Sequence, residues 1–195
     1  MNVSAVTLEG RHVRLEPLAE AHVAALARHA ADDKVWTHFG GARMTDEPAI
    51  RQRIEVARQL LEQGAALTFA IVDLARGEAV GATAYLDVSV PDRRLEIGST
   101  WLGRAAWRTA VNTEAKYLLL THAFEGLGCL RVQLKTDIRN LRSQAAIERL
   151  GAVKEGVLRA HMLRRDGSQR DTVLYSIIAG EWPAVKARLK QLMNR

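Results

Sequence analysis

The apolar pattern changes its period along the chain, and that change restricts the fold more than any single motif does. Residues 67–74, 79–88 and 93–102 are three strand-like runs separated by turn residues such as Arg76 and Gly77, so they read as an antiparallel meander. Beyond Leu102 the period alternates: 111–124 is helical by spacing, 130–136 alternates like a strand, and 140–150 is helical again up to Gly151. Ahead of the meander, 12–18 reads as a half-buried strand, with Val13 and Leu15 apolar and Arg14 and Glu16 polar. Two amphipathic helices follow. Val23, Leu26, Ala27 and Ala30 share one face in 20–30, and Ile50, Ile54, Ala57, Leu60 and Leu61 repeat the pattern after a cap at Thr45 or Asp46. Residues 36–44, with Gly40 and Gly41, are expected to form a loop. Residues 153–162 and 172–178 pair as a hairpin through Asp166 and Gly167, and 181–193 is a last helix. A meander followed by strands joined through helices implies an α/β (α+β) fold. About seven strands form one mixed, mostly antiparallel sheet, covered by helices and containing at least one parallel pair.

Composition narrows the class. The chain of 195 residues is 48% hydrophobic and 26% charged, near the average for a folded globular protein, and no Pro-, Gly- or Ser-rich stretch marks a linker. Residues 1–195 are therefore expected to be a single domain, long enough to bury a core without staples. The first fifteen residues carry charge and no apolar run, which argues against a signal peptide or a membrane span and for a cytoplasmic protein. Cys129 is the only cysteine, so no intramolecular disulfide can form, and its neighbours Leu127 and Leu130 suit core packing rather than nucleophilic work. The net charge of +6 favours an anionic partner. The basic residues are interspersed with acids and lack the interleaved aromatics that stack bases, so nucleic acid is not expected and a phosphorylated cofactor stays open. No metal site is expected.

Two stretches carry the chemistry: LEIGSTWLGRAAWRTAVNTEAK at 95–116 and VQLKTDIRNLRSQAAIERLGA at 132–152. In the first, a strand ending near Leu102, a short loop and a helix opening around Ala110 aim backbone N–H groups and a helix dipole at one point, which suits a pyrophosphate. In the second, Asn140 sits where a helix N-cap is needed, and Ser143 follows one turn on. With HVRLEPL at 12–18 and EGVLR at 155–159, these stretches resemble the Gcn5-related N-acetyltransferases (GNAT). The branch they resemble most is that of the ribosomal-protein N-terminal acetyltransferases. Asn140, Arg142, Ser143, Ala146, Ile147, Leu150 and Gly151 fit that branch's pattern in order.

The resemblance implies helices on both faces of the sheet and a splayed cleft for acetyl-coenzyme A as acetyl donor. It also implies a primary amine as acceptor: a protein N-terminus, an amino acid or another small molecule. Relatives in the branch are often homodimers. The cofactor residues it implies are Trp101, Leu102, Arg104, Arg108, Thr109, Ala110, Val111 and Asn112 around the loop, and Asn140, Arg142 and Ser143 on the later helix. Relatives usually carry glutamine or arginine, two residues, glycine, one residue, then glycine or alanine. The matching positions here are Ala105, Arg108 and Ala110, so Arg108 replaces the glycine that lets a phosphate approach closely. Arg104 and Arg108 supply charge instead. Asn140 is implied to hydrogen-bond the pantetheine arm besides capping its helix, while Arg139 and Arg142 either meet phosphates or are solvated charges.

Ile147 stands where many relatives place a tyrosine that protonates the departing thiolate. Ser143 or a water then takes that role, if an acid is needed at all, because a thiol of pKa about 8.5 leaves well unprotonated. Glu96 alternates with apolar Leu95 and Ile97 and is the candidate base that takes the proton of the acceptor ammonium, which cannot attack while protonated, against the alternative of a plain strand-surface glutamate. His38 and His161 are weaker candidates. Transfer is expected to be direct, with backbone N–H groups near Gly98 to Thr100 holding the oxyanion. Trp36, Phe39 and Trp101 either line an acceptor pocket or pack in the core. The rival reading, prompted by Arg108 and Ile147, is a non-catalytic acyl-coenzyme A binding module.

Overall fold

The computed structural model describes residues 1–40 and 43–194; Gly41 of the expected loop lies outside them. Along the chain the elements are β1 (Leu8–Glu9), β2 (Val13–Pro17), α1 (Val23–Ala30), α2 (Glu47–Glu62), β3 (Leu67–Asp73), β4 (Glu78–Ser89) and β5 (Arg94–Leu102). They continue with α3 (Ala110–Thr121), β6 (Arg131–Asp137), α4 (Leu141–Leu150), β7 (Val153–Leu163), β8 (Gln169–Ile178) and α5 (Trp182–Met193). The strands form one open mixed sheet in the order β1-β2-β3-β4-β5-β6-β8-β7. Every neighbouring pair is antiparallel except β5 and β6, which the α3 crossover makes parallel. The sheet has eight strands rather than about seven. The extra one, β1, is two residues long, too short to show a period.

Local signals set the helix ends. Asp46, not Thr45, caps α2: its Oδ1 accepts from the Ala49 N–H at 2.8 Å. Gly151 ends α4 in the left-handed region at φ +104°, which glycine adopts without strain.

The sheet has apolar cover on both faces. Val111, Ala115 and Leu119 of α3, Ile147 and Leu150 of α4, and Val185 and Leu189 of α5 pack with Leu15, Phe69, Tyr85, Val132 and Tyr175. On the opposite face Val23, Leu26 and Ile50 pack with Ala70, Ala82, Trp36 and Trp101. β3 is buried at all seven positions, and its stretch Phe69 to Val72 is apolar without alternation because both of its faces are covered. Beyond β5 the second face changes character. Glu96, Gln133, Lys135, Asp137 and Arg170 lie there, and α1 and α2 no longer supply an apolar lid.

Candidate active site

The site is built where the one parallel pair comes apart. β5 and β6 are in register only at Arg94 with Arg131, Leu95 with Val132 and Glu96 with Gln133. β5 runs on to Leu102 beside β4, and β6 runs on to Asp137 beside β8, so the strands part directly after Glu96. A bulge adds to the opening. Ala84 pairs with Gly98 and Ala82 with Trp101, which leaves Ser99 and Thr100 opposite Thr83 with no registered partner on either side. Ser99 takes a left-handed φ of +49° there. The extra residue flips the alternation: Leu95 and Ile97 face α3 before it, Thr100 and Leu102 after it.

Glu96 sits at this fork and is 2% exposed. Its carboxylate pairs with Lys135 Nζ at 2.8 Å and receives a long contact of 3.4 Å from Gln133 Nε2. Gly98 makes room for it: a Cβ at Gly98 would stand 2.6 Å from Glu96 Oε1. The glutamate is therefore a buried, ion-paired group at the cleft and not the strand-surface residue of the alternative reading.

The two loops leaving the parted strands both end in helix N-termini. After β5, residues 103–109 lead into α3, whose cap Thr109 accepts from the Val111 N–H at 3.3 Å and donates to the Ala106 carbonyl at 2.8 Å. Arg108 adopts φ +61°, so the backbone shape that suits glycine is kept by an arginine at a cost of about 1–2 kcal/mol. Arg104, Arg108 and Thr109 are exposed, and Ala110 and Asn112 are half-buried. Val111 is buried in the core below α3, and the side chains of Trp101 and Leu102 are committed to the two cores, so any contact of these three with a cofactor falls to their backbone. After β6, Asp137 organises the turn: its carboxylate accepts from Arg164 Nε and Nη2 at 2.7 and 2.8 Å and from the Arg139 N–H at 2.8 Å. Burial pushes the Asp137 carboxyl up, but these hydrogen bonds and the Arg164 charge outweigh it and hold the carboxyl below its ordinary value. Asn140 then caps α4 by accepting from the Ser143 N–H at 3.1 Å.

Between these loops lies a cavity of about 350 Å³, lined among others by Lys34, His38, Trp107, Arg139, Asn140 and Arg142. The Arg142 guanidinium lies 3.9 Å from the Trp107 ring centre and bridges the two loops. Ser143 is half-buried next to Arg142, just outside this lining. The cations and free helix N–H groups suit an anionic, nucleotide-like ligand of coenzyme A type. Arg104, Arg108, Arg142 and the first turn of α3 are the groups that would hold its phosphates.

Other candidates are placed elsewhere. Trp36 and Trp101 pack with ring centres 5.1 Å apart and planes tilted by 41°, and are 1% and 3% exposed, so they form core, with half-buried Phe39 edge-on against Trp36. His161 is exposed and bonded to Thr172 at 3.1 Å. Ile147 belongs to the apolar core with Leu150. Cys129 is 2% exposed, rests against Met1 Sδ at 3.4 Å, and burial pushes its thiol up to about 11, which unsuits it as a nucleophile. Sequence reasoning missed Lys116, Thr83, Trp107 and Lys135. Only Lys116 left a trace, as a cation in a helix otherwise apolar on most sides.

A mixed sheet with a single parallel pair, forked beside a buried carboxylate and faced by two helix N-termini, defines the class as N-acetyltransferase. Residues 12–153 match the family model for the acetyltransferase (GNAT) domain, and the chain belongs to that family. A crystal structure of a "putative acetyltransferase" from T. thermophilus is 44% identical, with a TM-score of 0.86, over 98% of this chain and 99% of that one. A Bacillus subtilis (strain 168) protein named "Putative ribosomal N-acetyltransferase YdaF" is 32% identical over 56% of this chain and 59% of its own length. Mycobacterium smegmatis RimJ in complex with CoA-disulfide shares the fold at TM-score 0.81 and 24% identity, over 98% of this chain and 95% of that one. Among the described residues, no helix is long and apolar enough to cross a membrane.

Proposed function

We propose that this N-acetyltransferase moves the acetyl group of acetyl-coenzyme A directly to a primary amine, with Glu96 as the proton acceptor. The observation that supports this most is the fork itself: the last registered pair of β5 and β6 is Glu96 with Gln133, so the carboxylate stands where the strands open. Acetyl-coenzyme A supplies a thioester whose carbonyl carbon the amine attacks. Glu96 first takes the ammonium proton, directly or through water, which frees the nitrogen lone pair; the C–N bond then forms, the C–S bond breaks with the sulfur leaving as thiolate, and the second nitrogen proton lost in forming the amide goes to solvent or to that thiolate. The backbone of Ser99 and Thr100, which has no registered strand partner, is the candidate holder of charge on the carbonyl oxygen. Ser143 is the candidate relay to the thiolate. No acetyl-enzyme is needed, in keeping with the buried Cys129.

The acceptor we favour is a protein or peptide N-terminus. This rests on the branch resemblance and on the relative named as a ribosomal N-acetyltransferase, not on a feature of the cleft. Thiol release from acetyl-coenzyme A is the test, measured with peptides bearing free N-terminal Ala or Ser, free amino acids and polyamines. We expect kcat/KM to be greatest with a peptide. Release only with small amines moves the acceptor class, and release with none sinks the transfer reading.

A further inference from the structure

Directly behind the bulge, on the α3 side of the sheet, lies a buried amine that the reaction described above does not use. Lys116 is 6% exposed, and its Nζ donates to Thr100 Oγ1 at 2.7 Å and approaches Thr83 Oγ1 at 3.4 Å. The two hydroxyls bond each other at 2.8 Å, and both lie within 3.5 Å of the Gly98 carbonyl. These residues are the bulge: Thr100 is one of the two unregistered residues of β5, and Thr83 is the residue of β4 they oppose. Among the described residues no carboxylate pairs with Lys116. Burial alone lowers its amine to about 7, so near neutrality a large share is uncharged.

Such a group is a poor choice for stability. An apolar side chain of the same length would fill the space without desolvating an amine, and Thr83 and Thr100 would still satisfy each other. What the amine adds is a third anchor on a strained segment. Ser99 is held at φ +49°, a conformation that a non-glycine residue leaves when its surroundings allow. If the bulge relaxed into regular pairing, one of the Ser99 and Thr100 N–H groups would turn to β4, because consecutive N–H groups of a strand point to opposite edges, and the fork would lose a donor.

We propose that Lys116 is a positioning residue for acetyl transfer: acting through the Thr100 and Thr83 hydroxyls, it locks the β5 bulge so that backbone N–H groups of Ser99 and Thr100 stay directed at the thioester carbonyl. This rests on the reading of the bulge as the carbonyl site. It predicts separate fates for cofactor binding, which the phosphate loop and α4 provide, and carbonyl polarisation, which the bulge provides.

The experiment compares wild type, Lys116→Met, Thr100→Val and Thr100→Ser. Coenzyme A affinity is measured by calorimetry, the carbonyl stretch of bound [1-13C]acetyl-coenzyme A by infrared difference, and kcat and KM with the best acceptor peptide. In Lys116→Met we expect unchanged coenzyme A affinity, a carbonyl band moved back toward its free position, and kcat lowered about 10-fold with little change in KM for acetyl-coenzyme A. Thr100→Val should behave alike, which covers the case of a Lys116 variant that does not fold, and Thr100→Ser should recover most of the rate. A folded Lys116→Met with wild-type band and kcat overturns the proposal. A wild-type enzyme that binds acetyl-coenzyme A with no carbonyl shift overturns instead the bulge reading beneath it, and the proposal falls with it.

Discussion

Two buried glutamates, one on each side of the molecule, are held in contrasting ways, and the contrast fits a structural role for one and the catalytic role proposed for the other. Glu114 on α3 is 5% exposed and accepts from three consecutive backbone N–H groups, Arg11 at 2.9 Å, His12 at 2.6 Å and Val13 at 2.7 Å. Glu96 is 2% exposed but holds only the Lys135 ammonium and a long Gln133 contact. The first carboxylate has its lone pairs used by fixed donors, and it nails α3 to the turn between β1 and β2. The second has spare acceptor capacity, and its partner is a flexible lysine about a third exposed, so a proton can reach it. Burial alone does not distinguish the two; spare acceptor capacity at an opening is what supports the proposal for Glu96.

The largest effect expected from breaking this contrast is at Glu114. Glu114→Gln turns one acceptor oxygen into a donor facing N–H groups, and should lower unfolding free energy by roughly 3 kcal/mol while leaving kcat of the folded fraction unchanged. Denaturant unfolding at fixed pH measures it, and a loss under 1 kcal/mol would mean the three N–H groups find water instead. Glu96→Gln should do the reverse: folding stability near wild type and turnover lower by about 10²-fold, or about 2.7 kcal/mol of barrier. That defect should shrink at high pH, where free amine is supplied by the solution. A wild-type pH profile in Glu96→Gln would move the base elsewhere.

A third prediction concerns the other buried ion of α3. The folded-state value for Lys116, about 7, lies below its ordinary 10.5, so the unfolded chain binds more protons between these values. Stability should therefore rise with pH from about 7 to 10.5, with a slope bounded by about 1.4 kcal/mol per pH unit, and lie at its low plateau below 7. Lys116→Met should flatten that rise, as followed by chemical denaturation at pH 7, 8 and 9, and an unflattened curve would assign the slope to other groups. The smallest effect is at Arg108. Arg108→Gly relieves about 1–2 kcal/mol of left-handed strain but adds about 0.5–1 kcal/mol of unfolded-state entropy, a net gain of roughly 0.5–1 kcal/mol. Coenzyme A affinity separates charge from shape there: a weaker, less salt-dependent affinity assigns Arg108 to a phosphate.

Most of the element order was legible before the structure because helix and strand periods are local. The run 67–74, a helix cap at Thr45 or Asp46, the cap at Asn140 and the stop at Gly151 depend on residues within a few positions of one another; the structure chose Asp46. The face of Glu96 was legible for the same reason, since alternation with Leu95 and Ile97 puts it away from the α3 core; its burial was not, and a strand-surface glutamate stayed open until the structure. The loop from β5 to α3 was placed by its pattern, and Arg108 was recognised as the departure, though its φ of +61° could only be measured.

What the tertiary structure alone decided is how those pieces meet. GSTWL reads as one alternating strand, and nothing in it announces that Ser99 and Thr100 oppose a single Thr83; the bulge exists because β4 on one side and a departing β6 on the other pull the register apart. Trp36 and Trp101, open to either reading in sequence, became core because two distant segments pack them against each other. Lys116 and Glu114, two residues apart on one helix, look alike as charges in an apolar stretch. The sequence determined only that both lie on one helix. Their partners, a turn 101 to 103 residues away for one and a strand bulge for the other, are set by long-range packing, which no local period encodes.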